Sequence, residues 1–262
     1  MNTVHFIEQV LGELGVELRQ TAKYTTTRIL SRKEYILKEK ARPIDCHTFI
    51  SMAEDYTLGL LGEINRFLVN IGHADSWFRV AQKHDNNERM SILCEFADPH
   101  FEISVGRPHS LRDQFVFASV HLLHQSGKLS NPRWRDRLPR DRDIKRKHLE
   151  ELGLAWIGYK GFREAMDLLN DQEFVKLTLN YRNRLQHQFR IHFDFGLAPV
   201  VERTETDGRV IYAFKAIPPL NLKVLIPELY KQHQLAIEVF KAYWGLVDEL
   251  LAEWDRQYLV RV

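Results

Sequence analysis

Apolar residues recur at intervals of three and four along most of the chain, the spacing that places one face of an α-helix against a core. The pattern is strongest over residues 45–71 and over a last helix that begins near Pro227. The two apolar stripes consist of Phe49, Ala53, Tyr56, Leu60, Ile64, Phe67 and Ile71, and of Leu229, His233, Ile237, Phe240, Trp244, Val247, Leu251 and Trp254. Further helical patterns cover residues 4–20, 75–97 with a break near Asp85-Asn86-Asn87, 148–169 and 171–191. The chain is therefore predicted to be mainly helical.

Prolines, glycines and a change of period mark the interruptions. Pro99, Gly106 and Pro108 predict a short extended segment, after which Ser110 caps a helix that ends at Gly127. Apolar residues on both sides of Asp207-Gly208 predict a β-hairpin at about 199–216. The prediction is an all-α fold, an up-and-down helical bundle with this one small inserted hairpin, in a single domain spanning residues 1–262.

Composition is ordinary for a globular protein, with 44% hydrophobic and 27% charged residues in 262 and a formal net charge of +2. The chain begins without the basic and apolar regions of a signal peptide, and it contains no apolar stretch of membrane-spanning length. Its two cysteines follow no disulfide pattern. We therefore expect a cytoplasmic protein with no membrane partner.

The positive charge is concentrated between Pro132 and His148, where eight basic residues stand against three aspartates and surround Trp134. Arginines that contact phosphates beside an aromatic ring that stacks on bases would suit single-stranded RNA. The favoured interpretation is simpler, because mixed Arg and Asp residues are typical of a solvated connector.

The string Arg182-Asn183-Arg184-Leu185-Gln186-His187 carries the most specific chemistry. It pairs a permanent cation with a side chain that titrates near neutral pH, which suits cleavage of an RNA phosphodiester without a metal. The same Arg-to-His spacing occurs at Arg42/His47 and Arg79/His84. Only at Arg182 does an asparagine follow the arginine, deep inside a predicted helix.

The predicted helix 171–191 has two unlike faces. Helical geometry places one set of residues on the core side, namely Phe174, Leu177, Tyr181, Leu185 and Phe189. The opposite side carries Asn183, Gln186, His187 and Arg190, together with the apolar residues Val175 and Leu179. Arg182 lies between the faces, about 140° from His187. One helix would not join them, but two facing helices could place the arginine of one beside the histidine of the other. The alternative is a solvated polar face with a fortuitous motif.

This Arg-Asn-x-x-x-His string, on the penultimate major helix of an α-helical protein, resembles the signature of the HEPN superfamily (higher eukaryote and prokaryote nucleotide-binding). The resemblance covers about residues 45–256, a HEPN-like bundle, and leaves an N-terminal extension of about 1–44 uncovered. It is closer to stand-alone bacterial members than to the short toxin-type ones. The resemblance implies a homodimer with the active site at the interface, RNA as substrate, no cofactor or metal, and a toxin, abortive-infection or phage-defence role. An antitoxin or a regulatory protein is a further expected partner.

Carried over by position, the resemblance implies that Arg182, Asn183 and His187 are catalytic. Arg184 and Arg190 would attract the RNA backbone. Toxin-type members often have a modifiable tyrosine two residues after the histidine, where this chain has Phe189, which excludes control by tyrosine modification at that position. The chain is also longer than a minimal HEPN unit.

Other chemistries have weaker support. His121 and His124, with His109 and Asp113 upstream, have a spacing that can bind a metal, but packing or capping roles are favoured. The chain has no Gly-rich phosphate loop and no Gly-x-Ser-x-Gly string. Two functions therefore remain, an endoribonuclease and a non-catalytic HEPN-like module that binds RNA, a nucleotide or a partner protein.

Overall fold

The computed structural model describes residues 3–26, 30, 44–130, 133–187, 191–206 and 208–259. Over these residues the fold is all-α with one β-hairpin, as predicted. The helices are α1 (Thr3–Thr26), α2 (Ile44–Ala81), α3 (Asn86–Ile92), α4 (Asp98–Ser130), α5 (Arg146–Gly153), α6 (Ile157–Leu168), α7 (Gln172–Leu177), α8 (Tyr181–His187) and α9 (Leu222–Leu259). A π-helical turn at Leu93–Ala97 joins α3 to α4, and a 3-10 turn lies at Asp141–Asp143.

The predicted hairpin is confirmed. Strands β1 (Ala198–Thr206) and β2 (Arg209–Ile217) pair antiparallel, from Ala198 opposite Ile217 to Thr206 opposite Arg209. Gly208 has a φ of 72°, a conformation that glycine adopts without the steric cost of a Cβ atom. Asp207, the other predicted turn residue, lies outside the described residues.

The chain forms two compact units. The first comprises Met1–Ile29, Phe67–Arg107 and Asp171–Lys231. The second comprises Leu30–Arg66, Pro108–Asn170 and Gln232–Val262. Each unit thus collects segments that are far apart in the sequence, and α2, α4 and α9 each contribute residues to both. The expectation of a single domain stays a prediction.

The predicted apolar stripes form much of the core. Phe49, Phe67 and Ile71 on α2 are buried, as are Phe240 and Trp254 on α9, with most of the other residues predicted in the two stripes. No helix in the described part of the chain has both the length and the apolar character needed to cross a bilayer.

The extended segment predicted around Pro99, Gly106 and Pro108 is wrong. Helix α4 runs through Gly106 and Pro108, and Ser110 lies inside it rather than at its start. An internal proline costs a helix about 3 kcal/mol. Four large apolar residues of α4 are buried on either side of it, Phe101, Val105, Leu111 and Phe115. At about 1.5–3 kcal/mol for each buried side chain, burial outweighs the cost of the proline.

Other helix boundaries also differ from prediction. Helix α2 continues to Ala81 before the predicted break, where the Asp85 side chain accepts hydrogen bonds from two backbone N–H groups and caps α3. The predicted helix 148–169 is divided into α5 and α6. The start of α6 is fixed by Glu249, whose carboxylate accepts the N–H of Ile157 at 2.9 Å and of Gly158 at 2.7 Å. Helix α9 begins at Leu222, before Pro227.

Within the first unit, a histidine clamp connects α1 to the segment after α2. The His84 side chain is only 5% exposed, and its two ring nitrogens lie 3.0 Å from Glu88 and 3.1 Å from Glu13. Burial lowers the pKa of His84, but the hydrogen bonds to the two carboxylates outweigh it, so the pKa is raised above its usual value. Lys83 adds an ion pair with Glu17 at 2.9 Å. The clamp is therefore strongest with a protonated imidazole.

Candidate functional site

The helix predicted at 171–191 is interrupted by a turn at residues 178–180, just before the motif. Helix α7 begins after Asp171, whose side chain accepts the N–H of Phe174 at 2.8 Å. It ends at Leu177, and the chain then passes through Leu179 and Asn180, both with a φ of 54°. A left-handed conformation costs an ordinary residue about 1–2 kcal/mol, and asparagine tolerates it better than leucine. The motif therefore lies on a separate short helix, α8.

Backbone and side-chain hydrogen bonds hold this turn in place. The N–H of Asn180 donates to the carbonyl of Val175 at 2.7 Å, and that of Leu179 donates to Lys176 at 3.0 Å. This pattern satisfies the last carbonyls of α7. Arg184 reaches back from α8, and its Nε–H donates to the carbonyl of Leu179 at 2.8 Å. One residue of the motif thus helps to fix the direction in which α8 leaves the turn.

An aromatic stack anchors the first residue of α8. Tyr181 is 1% exposed, and its ring lies 5.6 Å from that of Phe193, which in turn lies 5.2 Å from Phe101 on α4. Asp194, the residue after Phe193, is also fixed. Its carboxylate accepts one hydrogen bond from the Arg89 guanidinium at 2.6 Å and another from the N–H of Leu222 at 2.8 Å. Both segments around the motif are therefore attached to the core of the first unit.

The structure places the predicted site residues as follows. Arg182 and Asn183 are exposed on α8, and Arg184 is half-buried against the turn. The backbone of His187 belongs to α8, but its side chain lies outside the described residues. Arg190 lies wholly outside them, as does Phe189. The structure thus presents the arginine and the asparagine of the motif to solvent.

The expected core position of Leu185 is wrong. Its side chain is 46% exposed, whereas Phe174 and Tyr181, from the same predicted face, are buried. The turn between α7 and α8 explains the difference, because it ends the regular 100° progression on which the predicted face depended. Val175 and Leu179 are half-buried.

Arg182 and His187 both belong to α8, five positions apart. In an ideal α-helix, two positions with this spacing point in directions about 140° apart. A compact arginine–histidine site therefore requires residues from outside α8. A second copy of α8, placed opposite the first, would supply them.

The basic segment uses its tryptophan for packing. The Trp134 indole N–H donates to the carbonyl of His124 at 3.0 Å, its ring lies 5.0 Å from that histidine, and Lys128 lies 4.5 Å from the ring centroid. Asp136 lies 3.1 Å from the His124 ring. The arginines from 133 to 142 are exposed. These contacts favour the connector interpretation over base stacking by Trp134.

The histidines considered as metal ligands contact other groups. His124 is paired with Asp136, and His121 lies 3.6 Å from Asp141 and packs on Phe117. Within the described ranges, no group of three or more His, Cys, Asp or Glu side chains is placed to hold a metal ion.

A cavity that the sequence did not reveal lies in the second unit. It has a volume of about 790 Å³, between α2, α4 and residues 141–146, and Tyr56 and Phe117 are among the residues that line it. The sequence predicted Tyr56 as part of the core stripe. Its neighbours across the cavity come from distant parts of the chain, so no local spacing could have indicated the site.

Comparison of the chain with protein-family models, with curated proteins and with solved structures finds no match. The candidate site at α8 therefore depends on the residues of the motif and on the geometry described above.

Proposed function

We propose that the protein is a metal-independent endoribonuclease of the HEPN type, a stand-alone bacterial member, with an active site formed between two copies of α8. One observation carries the proposal. Arg182 and Asn183 are exposed on a helix whose first residue, Tyr181, is anchored in the core, and His187 lies on the same helix. A side-chain cation that binds phosphate in a fixed geometry is best placed on a rigid element, and the aromatic packing of Tyr181 holds α8 in place.

The chemistry follows from the residue types. The 2′-hydroxyl of the RNA attacks the adjacent phosphorus, so the substrate supplies its own nucleophile. His187 removes the proton from that hydroxyl or donates one to the departing 5′-oxygen, tasks that suit a pKa near neutrality. Arg182 binds the phosphate through two parallel N–H groups and stabilises its charge in the transition state, while Asn183 orients it. The products are a 2′,3′-cyclic phosphate and a 5′-hydroxyl.

The two remaining arginines have supporting roles in this proposal. Arg184 and Arg190 attract the RNA backbone. Arg184 also has a structural role, because its Nε–H donates to the carbonyl of Leu179 and so holds the turn between α7 and α8.

A homodimer is part of the proposal. Leu185 lies three positions after Arg182, so the two side chains are neighbours on the surface of α8. In the proposed dimer, this side chain, which is 46% exposed in one copy, packs against the second copy. The proposed setting is the cytoplasm, with RNA as substrate, a toxin, abortive-infection or phage-defence role, and an antitoxin or regulatory protein as a further partner.

RNA cleavage in the presence of EDTA tests the proposal. Wild type, Arg182→Ala and His187→Ala are compared on single-stranded and structured RNA. Arg19→Ala and His47→Ala are matched controls, because they remove the same side chains from exposed positions on other helices. Wild type and both controls should cleave and leave cyclic-phosphate ends, and each motif variant should lose about a hundredfold or more of the rate. No cleavage by wild type, or equal rates for all five proteins, would refute the proposal.

The alternative is a non-catalytic module that binds RNA, a nucleotide or a partner protein. The exposure of Arg182 supports this binding module as much as it supports the endoribonuclease, since an arginine binds phosphate without help from a histidine. In that case, wild type binds RNA and leaves it intact. Arg182→Ala then weakens binding, whereas His187→Ala leaves the affinity unchanged.

A further inference from the structure

We propose that the cavity between α2 and α4 in the second unit binds a small organic cation, an alkyl chain that carries ammonium or guanidinium groups. The cavity has a volume of about 790 Å³, within the range of about 300–1,000 Å³ that is typical of ligand pockets. It uses none of the residues of the motif on α8, and the proposal does not depend on the ribonuclease function.

Aromatic rings form one wall of the cavity. The rings of Tyr56 and Phe117 lie 5.9 Å apart and nearly perpendicular, at 84°. The ring of His121 lies 4.5 Å from that of Phe117 and 5.9 Å from that of Tyr56. Two perpendicular rings form a corner in which a cation can contact an aromatic face, and such contacts favour ammonium and guanidinium groups. The apolar body of the same rings suits the alkyl part of the ligand.

The charged residues around this wall are mainly acidic. Among the described residues, four carboxylates and two cations line the cavity, namely Asp55, Glu63, Asp113, Asp141, Lys145 and Arg146. The guanidinium of Arg146 is already bound, at 3.1 Å to Glu150 and 2.5 Å to Asp167. Glu63 is likewise paired, with Arg66 at 2.9 Å. The lining thus has more carboxylates than cations, and this balance favours a cation over an anion.

His121 does not cancel this charge at neutral pH. His109 lies 3.4 Å from Asp113, and His121 lies 3.6 Å from Asp141, but each carries charge only when protonated. Burial lowers the pKa of His121 in spite of the attraction of Asp141. Burial, followed by the charges of Asp141 and Asp55, raises the pKa of the Tyr56 hydroxyl. The aromatic wall is thus neutral and lies beside carboxylates of the lining.

Two glycines of α2 allow a matched test. A Cβ atom at Gly59, which lines the cavity, would meet no atom within 4 Å, and the same holds at Gly62, which is not among the lining residues. Gly59→Leu therefore places a larger side chain at the cavity wall, and Gly62→Leu makes the same change outside the lining. Thermal unfolding of both variants checks that they fold.

Spermidine binding is measured by isothermal titration calorimetry. Wild type should give saturable binding, Gly59→Leu should weaken it by about tenfold or more, and Gly62→Leu should leave it within about twofold. Asp55→Asn should weaken binding as well, and binding should weaken as salt concentration rises. Two further titrants, the capped amino acid N-acetyl-lysine methylamide and the uncharged 1,8-octanediol, complete the experiment. Tighter binding of spermidine than of the capped lysine identifies a free polyamine as the source of the cation, and the reverse identifies a basic side chain of a peptide.

Three results would overturn the proposal. They are the absence of saturable binding for both cations, equal affinity of wild type and Gly59→Leu, and binding of the uncharged diol as tight as that of spermidine. If Gly59→Leu does not fold, unchanged affinity in Asp55→Asn overturns it.

Discussion

In the proposed homodimer, the variants Arg182→Ala and His187→Ala should each be inactive alone and should restore ribonuclease activity when their subunits are mixed. Both residues lie on α8, five positions apart, and an ideal helix turns by about 140° over that spacing, so the proposed site takes its arginine from one copy and its histidine from the other. In a mixed dimer, one of the two sites loses both residues. The other site combines the intact arginine of one subunit with the intact histidine of the other.

The size of the effect follows from this arrangement. If subunits of the two variants exchange at random, about half of the dimers are mixed, and each mixed dimer has one intact site of two. The mixture should therefore reach about a quarter of the wild-type rate per subunit, while each variant alone stays near background. A fluorogenic RNA in EDTA reports the rate, and copurification of a tagged subunit with an untagged one measures exchange.

A second mixture tests the same geometry from the opposite direction. Wild type mixed with the double variant Arg182→Ala/His187→Ala forms mixed dimers in which neither composite site is complete. The rate should fall to about a quarter of that of wild type alone, whereas a site built within one subunit would leave about half. Complete exchange without recovery in the first mixture, or a value near half in the second, would refute the composite site.

Three further predictions concern stability and assembly. The raised pKa of His84 means that its stabilising contribution is present below about pH 6.5 and is lost as pH rises through the raised value. His84→Gln should therefore lower the free energy of urea unfolding by roughly 1–3 kcal/mol at pH 6 and by less at pH 9, and equal losses at both would contradict the protonated clamp. A Cβ atom at Gly153 would clash with the ring of Tyr159, whereas one at Gly161 would meet nothing within 4 Å. Thermal unfolding should show Gly153→Ala destabilised by roughly 1–3 kcal/mol and Gly161→Ala stabilised by roughly 0.5–1 kcal/mol, and equal stabilities would contradict the contact. In the proposed dimer, Leu185→Asp should weaken association in sedimentation experiments and change the unfolding free energy by less than about 0.5 kcal/mol. A variant that dimerises as tightly as wild type would place the interface elsewhere.

Local patterns determined the class of fold and several of its elements. The apolar stripes of α2 and α9 are buried as their spacing indicated, and Asp85 caps α3 at the predicted break. The hairpin formed where the period changed. These features depend on neighbours within a few positions, so the sequence contains what is needed to predict them. The motif itself could also be recognised from the sequence, because its residues are consecutive.

Tertiary contacts decided where helices end and which side chains remain exposed. Helix α4 continues through Pro108 because its apolar residues are buried on both sides of it. Helix α6 begins where Glu249 accepts two backbone N–H groups, the nearer of them 91 residues away in sequence.

The candidate sites depend on the same kind of distant contact. Helix α8 has its own direction because Tyr181 packs on Phe193 after two left-handed residues, which leaves Leu185 exposed. The cavity in the second unit joins Tyr56 to Phe117, 61 positions later in the printed sequence. Periodicity reports the side on which a helix is buried. It contains no information about which distant residue caps that helix, or about the partner against which a side chain packs, and these contacts set the geometry of both candidate sites.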